Sequence, residues 1–206
     1  MTHPLVTCLD MEGVVAPEIW LAVADHFNVQ DLKMTTRDIP DYDELMQKRL
    51  LVLREHGITL EQIKRIVEGL SPLEGAVPFL AWLRERCQVI ILSDTYYEFV
   101  SPLMKQLNYP TIFCHSLEVD EQGFISHYHL RMPDQKRHAV QALKNIGFRV
   151  IAAGDSYNDI SMLKEADAGI FFCPPESIKD EFPQFPVTRT YEEFQARLAH
   201  AGGFAV

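Results

Sequence analysis

Residues Leu5 to Val15 read LVTCLDMEGVV, an apolar run fit for a buried β-strand that breaks after Leu9 into Asp10-Met11-Glu12-Gly13. A carboxylate at the end of a buried strand is costly unless it is paired, hydrogen-bonded or bound to a metal, so Asp10 and Glu12 need partners from elsewhere in the chain. Short apolar runs of the same kind recur at Val89–Leu92, Thr111–Cys114, Val150–Ala153 and Gly169–Phe172. Between them, Gly75–Cys87, Tyr97–Leu107, Gln135–Ile146, Asn158–Glu165 and Tyr191–His200 carry apolar residues at helical spacing, and Thr190 with Glu193 predicts a capping box for the last. Strands alternating with helices predict an α/β fold, a doubly wound parallel sheet covered on both faces.

Two stretches interrupt the alternation. From Val15 to Leu73 no strand signal appears; Glu18–Phe27, Tyr42–Arg54 and Leu60–Leu70 read as amphipathic helices separated by TTRDIPD and EHGIT. The expected organisation is a catalytic core of residues 1–14 and 74–206 with an all-helical cap, residues 15–73, inserted after the first strand. The second interruption is SLEVDEQGFISHYHL, where alternating stretches flank Asp120–Gly123 and predict a β-hairpin protruding from the fold.

Composition narrows the function. The 206 residues are 47% hydrophobic, ample for a core. A formal charge of −10, from 29 acidic against 19 basic residues, argues against a nucleic-acid or anionic-membrane surface, since either needs a concentrated basic face. An anionic substrate must then be held by a few local cations. MTHPLVTCL lacks the charged flank and long apolar region of a signal peptide, and no apolar run approaches the ~20 residues of a membrane span, so a cytoplasmic protein is expected. Cys8, Cys87, Cys114 and Cys173 form no C-x-x-C pair, and three sit in or beside apolar runs; they read as buried reduced thiols, which removes zinc and redox chemistry.

In an open parallel sheet ligands bind beyond the carboxyl ends of the strands, so the residues that follow each apolar run are the ones to inspect. Asp10 and Glu12 follow the first run, Ser93 the second, and GDSYND, with Asp155, Asn158 and Asp159, the fourth; Lys136 opens a helix leading back to the sheet. These acids, a hydroxyl and a lysine converge on one edge. Carboxylates on neighbouring strand ends suit Mg²⁺, which takes a few carboxylates and keeps its other positions for water and substrate phosphate. His127-x-His129 shares one face of a strand, but two histidines on a hairpin read as solvated.

Taken in order, LDMEG, VIILSD, Lys136 and AAGDSYNDISML resemble the four motifs of the haloacid dehalogenase superfamily of aspartate-nucleophile phosphohydrolases. A helical cap directly after the first motif, together with GDSYNDISM, is similar to the phosphoserine phosphatases. PEIW, TTRDIPDYDELMQKRL, PLEGAV, ILSDTYYEF and EFPQFP look closer still to the ThrH-like subgroup, described as bifunctional phosphoserine phosphatases and phosphoserine:homoserine phosphotransferases. General phosphoserine phosphatases carry D-x-D and S-G-G where this chain has Asp10-x-Glu12 and Ser93-Asp94-Thr95, departures that the subgroup shares. The resemblance implies Mg²⁺-dependent hydrolysis of phosphoserine in serine biosynthesis, with transfer to homoserine as a second activity linked to threonine biosynthesis. It implies Asp10 as nucleophile, Glu12 as acid/base, and Lys136 and Ser93 on the phosphoryl group. Asp10, Glu12 through its backbone carbonyl, Asp155 and Asp159 would be the metal ligands, Asp159 either directly or from behind. Asp94 and Asn158 would line the substrate site, while Glu18 and Arg49 on the cap would face the amino and carboxylate groups of phosphoserine.

Other classes stay open. A phosphorylatable receiver shares an Asp, a Ser/Thr and a Lys on a doubly wound sheet, but lacks a cap and the acids of GDSYND. An inactive binding module, or a phosphatase of a sugar, nucleotide or other small phosphate monoester, fits the same core. Dehalogenation needs no metal and would leave Asp155 and Asp159 unexplained. The oligomeric state is undetermined, with a homodimer among the options.

Overall fold

The computed structural model describes residues 3–35, 38–39 and 41–205; Thr36, Arg37 and Pro40, within the expected TTRDIPD connection, lie outside the described residues. Strand β1 (Leu5–Leu9) is central, parallel to β2 (Gln88–Tyr96) on one side and β5 (Arg149–Gly154) on the other. Outward from these lie β3 (Thr111–Val119) and β4 (Ile125–His129) on the β2 side, and β6 (Ala168–Phe172) and β7 (Val187–Thr188) on the β5 side. The order is β4-β3-β2-β1-β5-β6-β7, parallel throughout except for β4.

The apolar runs are continuous because both faces are buried. On β5, Ile151 and Ala153 join the cluster under α4 (Ala76–Arg84), α5 (Tyr97–Gln106) and α9 (Tyr191–Gly202), while Val150 and Ala152 join the one under α6 (Gln135–Asn145), α7 (Ile160–Glu165) and α8 (Glu176–Glu181). Each large apolar side chain so buried contributes about 1.5–3 kcal/mol. Thr190 Oγ1 caps α9 by accepting from Glu193 N, but the Glu193 carboxylate accepts from Arg189 N instead of closing the box on Thr190. The four cysteines are free thiols; Cys8 and Cys114 are buried as expected, whereas Cys173, just past β6, is exposed.

After β1 come α1 (Ile19–Phe27), a 3-10 turn at Gln30–Lys33, α2 (Tyr42–Glu55) and α3 (Leu60–Gly69). Asp41 caps α2 through Glu44 N, and Thr59 with Gln62 forms a full capping box on α3. These helices share one continuous apolar cluster with the sheet, α3 packing on α5 and α2 on β4. The hairpin differs from expectation. It does not protrude: its first strand is the second half of β3, its turn is held by Asp120 and by Gly123 at φ 86°, and it lies against the inserted helices. Gly123 O accepts from Leu60 N, Asp120 pairs with Arg54, and Tyr128 donates to Asp43. Among the described residues no helix is long and apolar enough to cross a membrane.

Candidate active site

Register assembles the site. Leu9 lies opposite both Ile91 and Ala153, so Asp10 and Asp155, just past the ends of β1 and β5, share an edge with Ser93, which lies within β2 where its pairing with β3 shifts register. Asp10 and Lys136 are almost fully buried and Asp159 completely so. Lys136 Nζ lies 2.9 Å from Asp10 Oδ1, 2.8 Å from Asp159 Oδ1 and 3.6 Å from Asp94 Oδ2. Burial alone would lower the Lys136 pKa, but these carboxylates hold it well above the ordinary lysine value. The expected single helix from Asn158 is instead a 3-10 turn, Tyr157–Asp159, followed by α7. Asp159 shapes that turn, because its Oδ2 accepts from Asp155 N at 3.0 Å and Ser156 N at 3.1 Å. A Cβ on Gly154 would sit 2.2 Å from the Asp159 carboxyl carbon, and one on Gly13, at φ 77°, would sit 2.6 Å from Asp155 Oδ2, so both positions require glycine.

Asp10, Asp155 and Asp159 offer oxygens within 4.8 Å of one another, the one such cluster of His, Cys, Asp and Glu among the described residues. Burial, then the Asp159 charge, raises Asp10 well above the ordinary carboxylate range and Asp155 to about 7. An all-oxygen set whose mutual repulsion Lys136 offsets only in part fits a hard divalent cation. Both Asp159 oxygens already serve Lys136 and backbone donors. The Glu12 side chain turns away from the cluster: its Oε2 accepts from Ile19 N, at the start of α1, at 3.1 Å. Burial and the neighbouring Glu18 raise its pKa, opposed by Ile19 N–H and Arg49.

Asp10 and Glu12 open into a cavity of about 320 Å³, at the small end of the ~300–1,000 Å³ common for small-molecule sites. Ser93 and Asp94 line it from β2 and Asn158 from the 3-10 turn; Glu18, Trp20 and Arg49 line it from the inserted segment. Arg49 is 7% exposed, its guanidinium stacked 4.6 Å over Trp20 and donating to Met34 O at 2.8 Å. No described carboxylate pairs with it, and its Nε has no hydrogen-bond partner. Asp94 is different from a free ligand. It accepts from Asn158 Nδ2 at 2.8 Å and Gln135 Nε2 at 3.2 Å and lies 3.4 Å from His115 Nε2. Although burial opposes it, Lys136, His115, Asn158 and Gln135 hold the Asp94 carboxyl far below the usual range. Because His115 Nδ1 accepts from Arg131 N at 3.1 Å, a neutral His115 carries its proton on Nε2, toward Asp94.

His115 and Gln135 were missed by the sequence reading. His115 directly follows the apolar run Thr111–Cys114, where the strand-end rule itself points, and Gln135 precedes Lys136. His127 and His129 sit on the edge strand β4, with His129 Nε2 2.7 Å from Glu118 Oε1, and join no metal-ligand cluster among the described residues.

A family model described as haloacid dehalogenase-like hydrolase matches residues 29–167. The chain is 55% identical over 196 residues to the Pseudomonas aeruginosa protein named phosphoserine phosphatase ThrH, with 95% of this chain and 96% of that one covered. It is 54% identical to a phosphoserine phosphatase of Pseudomonas syringae pv. tomato, with 95% and 83% covered. A solved phospho-aspartyl intermediate analogue of phosphoserine phosphatase shares the fold at a TM-score of 0.78 and 20% identity, covering 95% of this chain and 99% of that one. A substrate-bound phosphoserine phosphatase complex does so at 0.75 and 19%, covering 96% and 99%. The chain therefore belongs to the haloacid dehalogenase-like hydrolase family, within its phosphoserine phosphatase branch.

Proposed function

We propose that the protein is a Mg²⁺-dependent phosphoserine phosphatase that works through an aspartyl-phosphate on Asp10, with residues 15–73 acting as a cap over a core of residues 1–14 and 74–206. The observation that carries the substrate assignment is Arg49: a buried cation with no carboxylate partner lines the same cavity as a phosphoryl-transfer apparatus. An unpaired buried charge is costly, and a substrate carboxylate offsets that cost. Glu18, lining the same wall, faces the substrate ammonium.

Asp10 attacks phosphorus in line and the seryl oxygen leaves, so one hard displacement becomes two easier ones. Lys136, fixed by Asp159, and Ser93 hold the phosphoryl oxygens and offset their charge. Glu12 gives a proton to the leaving oxygen and later takes one from the second nucleophile. Asp10, Asp155 and the Glu12 backbone carbonyl would hold Mg²⁺, which would supply further charge neutralisation, and Asp159 would act from behind through the residues it positions. With water as second nucleophile the product is phosphate; homoserine, held by Glu18 and Arg49 after serine leaves, would instead take the phosphoryl group.

A phosphate-release screen with Mg²⁺ tests this across phosphoserine, phosphothreonine, sugar phosphates and nucleotides, with homoserine added in a parallel set. Phosphoserine is expected to have the highest kcat/KM, and chelation of the metal to bring release to background. A sugar phosphate or nucleotide turned over faster would reassign the substrate. Arg49→Ala is expected to lower kcat/KM for phosphoserine at least about tenfold while changing that for p-nitrophenyl phosphate, which has no carboxylate, less than about threefold. Equal losses on the two esters would return Arg49 to helix packing.

A further inference from the structure

Tyr42 stands in the cavity wall on the first turn of α2, and its hydroxyl lies 2.9 Å from that of Tyr96 on β2. Two hydroxyls share one hydrogen bond, and their surroundings decide which donates. Tyr96 is fully buried, with no other hydrogen-bond partner among the described residues. Were Tyr42 the donor, the Tyr96 proton would have no acceptor among the described residues and would be a buried unsatisfied donor. Tyr96 is therefore the donor. The ionisation of the two phenols agrees: burial raises both, and their shared bond raises Tyr96 further while pulling Tyr42 back. The hydroxyl hydrogen of Tyr42 is left for the cavity. Arg49, on the same helix and in the same cavity wall as Tyr42, lies close enough to both phenols that its charge favours either phenolate.

We infer that Tyr42 is a specificity-determining residue for the acidic end of the substrate: its O–H, oriented by Tyr96, donates to the carboxylate that Arg49 pairs with. The inference rests on the phosphoserine reading and deepens it. A carboxylate has about four lone-pair directions, and a guanidinium engages two of them at most along one edge. A neutral donor from the same helix satisfies another without adding charge. A substrate lacking the carboxylate would leave the hydroxyl and the guanidinium unpaired together, and buried polar groups left unpaired give strong discrimination.

Kinetics of the parent, Tyr42→Phe, Tyr96→Phe and the double variant on phosphoserine and p-nitrophenyl phosphate test the inference. The double variant leaves no hydroxyl orphaned, so it separates recognition from stability. In Tyr42→Phe and in the double variant, KM for phosphoserine is expected to rise at least about tenfold with kcat within about threefold of the parent, and kcat/KM for p-nitrophenyl phosphate to stay within about twofold. Tyr96→Phe keeps the Tyr42 hydroxyl but loses its orientation, so a smaller rise in phosphoserine KM is expected. Equal losses on both esters in the double variant would make the pair a latch between α2 and β2 and overturn the inference. An active parent with an indifferent Tyr42→Phe overturns it alone; a parent inert toward phosphoserine overturns the substrate reading and the inference with it.

Discussion

Replacing Asp10 by Asn is expected to lower kcat on phosphoserine by at least about four orders of magnitude while leaving the fold intact. The amide has the size and shape of the carboxylate but is a poor nucleophile. Asp10 Oδ1 also accepts from Met11 N at 2.7 Å, a bond that an amide oxygen keeps. Asp10 sits within 4.8 Å of two further acids, so in metal-free protein a neutral side chain there relieves repulsion, and the melting temperature is expected to hold or rise. Steady-state assays and thermal melts of parent and Asp10→Asn check both halves. Activity within about a hundredfold of the parent would mean that water attacks phosphorus directly.

Lys136→Met carries the second large effect, this time on both activity and stability. Methionine fills much of the lysine stem's volume but removes the one cation among the described residues that contacts Asp10, Asp159 and Asp94 together. Removing one partner of a buried ion pair costs about 3–5 kcal/mol, because the charges left behind have neither water nor counter-ion. The transferring phosphoryl group loses a fixed positive charge as well, for which a loss of about 10²–10³ in kcat is the typical scale. The expected result is a metal-free protein melting well below the parent, with turnover that added Mg²⁺ does not restore. A variant that melts like the parent would show that the three carboxylates are not charged together in the metal-free fold.

The core of the fold was legible because burial on both faces leaves a direct trace. Leu5–Leu9 and Val150–Ala153 can be so uniformly apolar only if helices cover each side. The phosphoryl-transfer end of the site was legible for a related reason: Asp10, Ser93 and Asp155 each end such a run, so finding the strands found the residues. What lies on the inserted helices was harder to read. Arg49 came from resemblance alone, and the spacing of α2 shows an apolar face without saying that Tyr42 on its first turn looks into a cavity. The hairpin about Asp120–Gly123 was legible, but not that its first strand continues Thr111–Cys114 as one β3, because polar residues interrupt the run at His115-Ser116, on the side of the sheet that borders the inserted helices. Both β7, two residues long, and α8, six, are too short to carry a period. The network on Asp94 was not legible either. Its donors come from β3, α6 and the turn before α7, three segments that only the folded sheet brings together.

The central claim is a covalent step at Asp10, and the most direct measurement is the mass of the peptide containing Asp10 after rapid acid quench of enzyme turning over phosphoserine with Mg²⁺. The account predicts a fraction of that peptide heavier by one phosphoryl group, labile to hydroxylamine as an acyl phosphate is, and absent in Asp10→Asn. Full turnover with no phosphorylated Asp10 peptide at any quench time, or the added mass on a different residue, would contradict it.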